Sequence, residues 1–169
     1  MEFSIKNGNP EKQRSDCVIV GVYESRKLSE AALAIDTASS GYLTKIIKQG
    51  DMDGKLASTL VLHSVPGTSS TRVLLVGLGK ERDFTEKQYC QAVRASVKAA
   101  SNTGANDVAS YLATLAVKKL DARWKVAHMA EVSLDVAYRF DAIKKKKDEA
   151  KQDESKKGIA NLAIYLADR

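Results

Sequence analysis

Hydrophobic residues along the chain fall into short runs and regularly spaced stripes. Phe3 and Ile5 alternate with polar neighbours, which predicts a short first strand. Asn7-Gly8-Asn9-Pro10 then breaks the chain. The run Cys17-Val-Ile-Val-Gly-Val-Tyr23 is almost wholly apolar and rich in β-branched residues, the pattern of a strand covered on both faces. Leu28, Ala32, Ile35, Tyr42 and Ile46 follow a helical spacing, with Ser29 as N-cap, Gly41 as an interruption and Gly50 suited to the C′ position. The polar stretch 51–58 reads as a loop. Thr59-Leu-Val-Leu-His63 predicts the next strand, Pro66-Gly67 a turn, and Arg72-Val-Leu-Leu-Val-Gly77 a further buried strand. Gly77-Leu78-Gly79-Lys80 leaves that strand toward a helix capped by Thr85, where Gln88 has the spacing of a capping box.

Tyr89, Ala92, Val93, Ser96 and Ala100 trace the inward face of that helix, and Asn102-Thr103-Gly104 closes it. Residues 107–112 predict a strand, with a second piece at 115–117. A third helix is predicted from Ala122 to about Tyr138, with Val126, Ala130, Leu134 and Ala137 on one side. Residues 144–157 read as a solvated connector, and 159–166 as the last strand. Strands and helices alternate as β-β-α-β-β-α-β-α-β. That order predicts an α/β fold, a three-layer α/β/α arrangement with a mixed, largely parallel sheet.

Composition narrows the function classes. The 169 residues suit one domain, and 44% hydrophobic content supplies one sizeable core. Two Cys and two His exclude a disulfide scaffold or a zinc-finger array. Cys17 and Cys90 are both expected to be buried and reduced. The opening Met1-Glu2-Phe3-Ser4-Ile5-Lys6 lacks a signal-peptide pattern, and no apolar run nears the ~20 residues that span a bilayer. A cytoplasmic location without a membrane partner is the expectation. The formal charge of +6 permits contact with nucleic acid without requiring it.

Candidate chemistry is sparse. Gly77, Gly79 and Lys80 form a phosphate-loop candidate by their place after a strand. Arg82 stands where a dinucleotide fingerprint needs its third Gly, and Glu81 follows Lys80 where a P-loop needs Ser or Thr, so a tight turn is favoured. His63 and His128 have no ligand partners at metal spacing and read as structural. Asp36, Asp51, Asp53, Asp107, Asp135 and Asp141 are scattered and read as solvated charges. Ser64, Ser69, Ser70 and Ser96 lack a nucleophile elbow, and Cys90 lacks a thiol-protease signature. The most polarised feature is Lys144, Lys145, Lys146 and Lys147, extended by Lys151, Lys156 and Lys157. This nucleic-acid candidate suits duplex phosphates, because no aromatic residue interleaves it for base stacking.

Three stretches share an order with one family: Gly50-Asp-Met-Asp-Gly-Lys55 before a strand, Arg72-Val-Leu-Leu-Val-Gly-Leu-Gly-Lys80, and Tyr138-Arg-Phe-Asp141 followed by lysines. The chain resembles the N-terminal domain of leucyl aminopeptidases over nearly its whole length. Met1–Lys6, Lys12-Gln13-Arg14 and Trp124-Lys125-Val126 look most like the bacterial aminopeptidase A branch. The resemblance implies a macro-domain-like fold for residues 1–169. It also implies a regulatory or assembly role in a homo-hexameric exopeptidase, whose two manganese or zinc ions belong to a C-terminal catalytic domain. The Asn-Thr-Asp-Ala-Glu-Gly-Arg motif of that domain does not occur here, so no catalytic or metal residue is carried over and the chain alone is expected to be inactive. Some bacterial members bind DNA, which makes double-stranded DNA an expected partner. The alternative is a stand-alone macro-domain-like module for a nucleotide or ADP-ribose, since fold does not fix function.

Overall fold

The computed structural model describes residues 1–148 and 158–167 and lays six strands into one sheet. They are β1 Glu2–Lys6, β2 Cys17–Tyr23, β3 Thr59–His63, β4 Arg72–Gly79, β5 Asp107–Ser110 and β6 Asn161–Tyr165. Their order is β1-β6-β5-β2-β4-β3, parallel throughout except for β3, which pairs antiparallel with β4. Helices α1 Glu30–Ala38 and α2 Tyr42–Lys48 cover one face. Helices α3 Glu86–Asn102 and α4 Ala122–Asp148 cover the other. The expected three-layer α/β/α architecture is present.

Period-two alternation divides the central strands between two cores. Val18, Val20, Val22 and Leu75 meet Ala32 and Ile35 of α1 and Leu43 and Ile47 of α2. Ile19, Leu74 and Val76 meet Tyr89 and Val93 of α3 and Met129 and Val132 of α4. With both faces covered, β2 is buried at every position, so its sequence shows no polar alternation.

Local signals behave as their chemistry requires. Ser29 Oγ accepts from the Ala32 N–H at 3.3 Å and caps α1. Gln88 Oε1 accepts from the Thr85 N–H at 3.3 Å in the capping box of α3. The stripe from Leu28 to Ile46 belongs to two helices, not one. Gly41 takes the left-handed conformation, φ 82°, and turns the chain between them. Gly41 supplies no side-chain cap to α2, and Asp36 does this from α1. Its carboxylate accepts from the Thr44 N–H at 2.9 Å and from Thr44 Oγ1 at 2.6 Å.

Four expectations change. Asp36 is buried, not a solvated charge. Residues 115–117 form no strand; the chain turns through a 3-10 segment at Leu112–Thr114 and then buries Leu115 and Val117 without joining the sheet. The strand ending expected at Gly77 lies at Gly79. Helix α4 continues to Asp148, so Lys144, Lys145, Lys146 and Lys147 lie on a helix and not in a connector. Lys has good helix propensity, and nothing in that run interrupts the hydrogen-bond ladder. Lys151, Lys156 and Lys157 lie outside the described residues.

Candidate functional site

In open α/β sheets, ligands bind outside the carboxyl ends of the strands, where the strand order reverses. Here β2 leads over one face toward β4, and β4 returns over the other face to β5. The reversal therefore lies between β2 and β5. After β2 the chain turns tightly: the Arg26 N–H donates to Tyr23 O at 2.9 Å and the Tyr23 N–H to Lys27 O at 2.8 Å. After β5, the buried Tyr111 ring stacks on buried Tyr165 at 4.5 Å, with 15° between the rings. Tyr111 Oη donates to Gly8 O at 2.8 Å, and Tyr165 Oη donates to Gln13 Oε1. These bonds tie segment 8–13 across the carboxyl ends of β5 and β6. On the α1 side, the chain's own rings occupy the crevice.

On the α3 side a pocket of about 640 Å³ remains open. Phe84, Val117 and Leu120 give it an apolar wall, and Arg82, Lys118 and Lys125 give it positive charge. Lys125 is buried at 7% exposure, and its Nζ donates to Leu115 O at 2.7 Å. Burial lowers the pKa of this ammonium, and Asp121 offsets part of that shift. Sequence reading missed Lys125. The signal was its register: it precedes Met129 and Val132 on the inward stripe of α4.

The phosphate-loop candidate is taken apart by its surroundings. Gly77 and Gly79 lie inside β4. The Gly77 N–H donates to Ser58 O at 2.7 Å, and the Gly79 N–H donates to Gly54 O at 2.9 Å. Neither N–H is left for a phosphate. A β-carbon on Gly77 would sit 1.8 Å from Lys55 O, so glycine is required there by the close approach of segment 54–58. Lys80 is exposed beyond the strand. Of the nucleic-acid candidates, Lys144, Lys145, Lys146 and Lys147 occupy successive helical positions. Such positions step by about 100° and so spread around the axis of α4.

Some of the remaining candidates have structural partners, and others, Ser70 Oγ included, are buried without one among the described residues. His128 stacks on Trp124 at 4.9 Å and 12°, between α3 and α4, with Tyr89 beside it at 6.3 Å. Tyr89 Oη and His128 Nε2 are buried and find no hydrogen-bond partner among the described residues. Burial pushes the His128 pKa below its ordinary 6.5. Asp107 accepts from Asn161 Nδ2 at 2.6 Å, and Asp135 accepts from Arg94 at 2.7 Å and Arg139 at 3.2 Å. Cys17 and Cys90 are free thiols; Cys17 is buried as expected, whereas Cys90 lies off the buried stripe of α3 and is only partly buried. Among the described residues no group of three His, Cys, Asp or Glu is arranged to hold a metal ion, and no helix is long and apolar enough to cross a membrane.

Residues 19–147 match the family model for the N-terminal domain of the cytosol aminopeptidase family. The chain belongs to that family. It is 57% identical over 160 residues to a probable cytosol aminopeptidase of Chromobacterium violaceum, covering 95% of this chain and 31% of that protein. It is 53% identical over 169 residues to a probable cytosol aminopeptidase of Methylobacillus flagellatus, covering 100% of this chain and 33% of that protein. The chain thus spans about a third of the length of the curated relatives it matches. Among solved structures, a mutant of tomato leucine aminopeptidase superposes with a TM-score of 0.67 at 18% identity, over 98% of this chain and 32% of that one. The macrodomain of Mycobacterium tuberculosis DarG gives 0.66 at 10% identity, over 98% of both chains. These likenesses establish the macro-domain-like fold of this family member.

Proposed function

We propose that residues 1–169 form the non-catalytic N-terminal domain of a cytoplasmic leucyl aminopeptidase. Its two manganese or zinc ions and its catalytic groups would reside in a C-terminal domain outside this chain. In this reading the domain docks on its own catalytic domain, helps assemble a homo-hexamer and limits access to the active site. The span of one third of the relatives' length supports a missing catalytic portion.

The observation that carries the docking role is an exposed apolar surface beside the chain's last strand. Phe3 and Ile5 of β1 are 38% and 60% exposed, and Leu134, Tyr138 and Ile143 of α4 are 51%, 77% and 59% exposed. Met1, Ala137 and Asp141 line one cleft, which brings the start of β1 and α4 together. The Leu166 N–H donates to Lys6 O at 3.0 Å, so the chain leaves β6 alongside β1. The test supplies the catalytic portion of the Chromobacterium violaceum relative in trans. Co-elution with this chain, lost in the double variant Ile5→Glu/Tyr138→Glu, is the expected result. A double variant that still co-elutes would overturn the docking role. The chain alone with manganese should not cleave a leucine anilide, and turnover that survives repurification would overturn the non-catalytic reading.

A second reading adds double-stranded DNA as a partner. It is favoured by the regular backbone of α4, which holds Lys144, Lys145, Lys146 and Lys147 on one element. Replacing the four with Gln should lower the slope of log K against log salt by up to about four units. An unchanged slope would remove these residues from any DNA contact. The alternative of a nucleotide or ADP-ribose module has less support. Gly77 and Gly79 have no free N–H, and the Tyr111–Tyr165 stack occupies one side of the crevice. Adding ADP-ribose should leave the amide signals of Gly77, Gly79 and Tyr111 unshifted, and shifts concentrated there would favour the nucleotide reading.

A further inference from the structure

We propose that the pocket beyond the carboxyl ends of β4 and β5 is an oxyanion site for a small amphipathic ligand. Lys125 at its base would hold the charged group, and Phe84, Val117 and Leu120 would cover an apolar body. This inference stands independently of the docking role.

The argument starts from the cost of a buried charge. An ammonium carries three donors, and one taken out of water is stable only when it is hydrogen-bonded and its charge is balanced. Lys125 is 7% exposed, and its hydrogen-bond acceptor is a neutral carbonyl, Leu115 O, at 2.7 Å. Among the described residues no carboxylate forms an ion pair with it. Two acids bear on the pocket, Glu81 in its lining and Asp121 near Lys125, and each has hydrogen-bond partners of its own. Asp121 Oδ1 accepts from the Trp124 N–H at 2.7 Å at the start of α4. Both oxygens of Glu81 accept from Lys27 Nζ, each at 2.8 Å. With Glu81 paired to Lys27 and Asp121 only partly offsetting Lys125, the net charge facing the pocket is positive.

Three further features define the ligand. Arg82, with Asp83 beside it at 4.0 Å, and Lys118 are exposed at the mouth, where they attract an anion and leave the base to Lys125. Thr85, the N-cap of α3, also lines the pocket, so the positive end of that 17-residue helix adds to the field. The volume of about 640 Å³ falls within the size range of small-molecule sites, and one wall is apolar. An oxyanion attached to a hydrocarbon group satisfies both halves. The shared chemistry is a carboxylate or a phosphate ester. An anion bound at Lys125 would also reverse the loss of basicity that burial imposes on the amine.

The test is a calorimetric and amide-shift NMR titration of the 169-residue chain with three probes: inorganic phosphate, acetate and isovalerate. Saturable millimolar binding of at least one probe is expected. Shifts should concentrate at residues 81–85 and 116–125. Isovalerate should bind several-fold more tightly than acetate because it adds only hydrocarbon. Tighter phosphate binding would assign the natural ligand to phosphate esters, and tighter isovalerate binding to apolar carboxylates. Lys125→Met, close in shape but uncharged, should weaken binding at least about tenfold. The rim variant Arg82→Gln/Lys118→Gln should weaken it about two- to fivefold with the fold intact, which keeps the idea testable if Lys125→Met does not fold. No saturation by any probe, shifts scattered over the surface, or equal binding by the variants would overturn the site.

Discussion

Replacing Gly77 by Ala tests whether this glycine exists for a close contact between backbone segments. The added β-carbon would meet Lys55 O at 1.8 Å, Ser58 Oγ at 2.3 Å and Lys55 C at 2.8 Å. Two of these obstacles are backbone atoms, so rotating a side chain does not relieve them. Segment 54–58 has to retreat by about an ångström or more, well beyond what a close-packed interior absorbs without strain. The retreat breaks a defined set of bonds: Gly77 N–H to Ser58 O at 2.7 Å, Ala57 N–H to Gly77 O at 2.9 Å, and Gly79 N–H to Gly54 O at 2.9 Å. Each of the three bonds contributes about 1 kcal/mol net, and overpacking adds about 1–3 kcal/mol, so the expected loss is about 4–6 kcal/mol. For a domain of this size that lowers the melting temperature by about 10 °C. Gly41→Ala is the control. Gly41 also turns the chain, with φ 82°, but a β-carbon there would touch nothing within 4 Å. Its cost is confined to a left-handed alanine, about 1–2 kcal/mol. Urea denaturation of both variants, followed by circular dichroism, separates the two cases. Equal midpoints, or a loss below about 1 kcal/mol for Gly77→Ala, would refute the contact argument.

Asp36→Ala should cost about 2–3 kcal/mol, because a charged acceptor is lost and the first turn of α2 keeps an unpaired Thr44 N–H. Asp36→Asn, which still offers an acceptor, should cost less; the urea midpoints rank the two. For His128, burial and Arg94 lower the folded pKa below 6.5, opposed by Glu131 and Glu86. The unfolded chain then takes up the proton first. Stability is therefore full above pH 6.5 and declines as the pH falls from 6.5 to the folded pKa. His128→Gln should flatten that part of the profile relative to the unchanged protein, and identical profiles would refute it. Burial pushes the Cys17 thiol up to about 12, while Cys90 is only partly buried and is raised less. A disulfide exchange reagent at pH 8 should modify Cys90 in the native chain and Cys17 only after denaturation. Rapid reaction of both native thiols would contradict the buried strand.

Much of this fold is legible along the chain. β2 begins and ends where its apolar run does, because a run covered on both faces has to be uniformly apolar, and β3 keeps its expected bounds as a partly exposed edge strand. Ser29 and the Thr85–Gln88 pair mark their helix starts, since capping is chemistry between residues two or three apart. The order of motifs also placed the chain in its family. Other features depend on contacts that sequence spacing does not encode. Gly77 and Gly79 resemble a phosphate loop until segment 54–58 is seen lying against them. Asp36 resembles a surface charge until α2 is folded back so that Thr44 reaches it. Gly41 resembles a flaw in one helix because α1 and α2 bury the same side of their stripe against the same sheet face. Lys125 resembles one more surface lysine until segments 81–85 and 115–120 are seen closing around it. The sequence by itself located most strands and helices, because periodicity and capping act within a few residues, but it misplaced the buried stripe of α4: Leu134, on the expected side, is 51% exposed, while Met129, Val132 and Val136 are buried. Tertiary structure alone decided which polar groups are paired, which glycines are crowded and which cation is enclosed, because those depend on atoms brought together from distant parts of the chain.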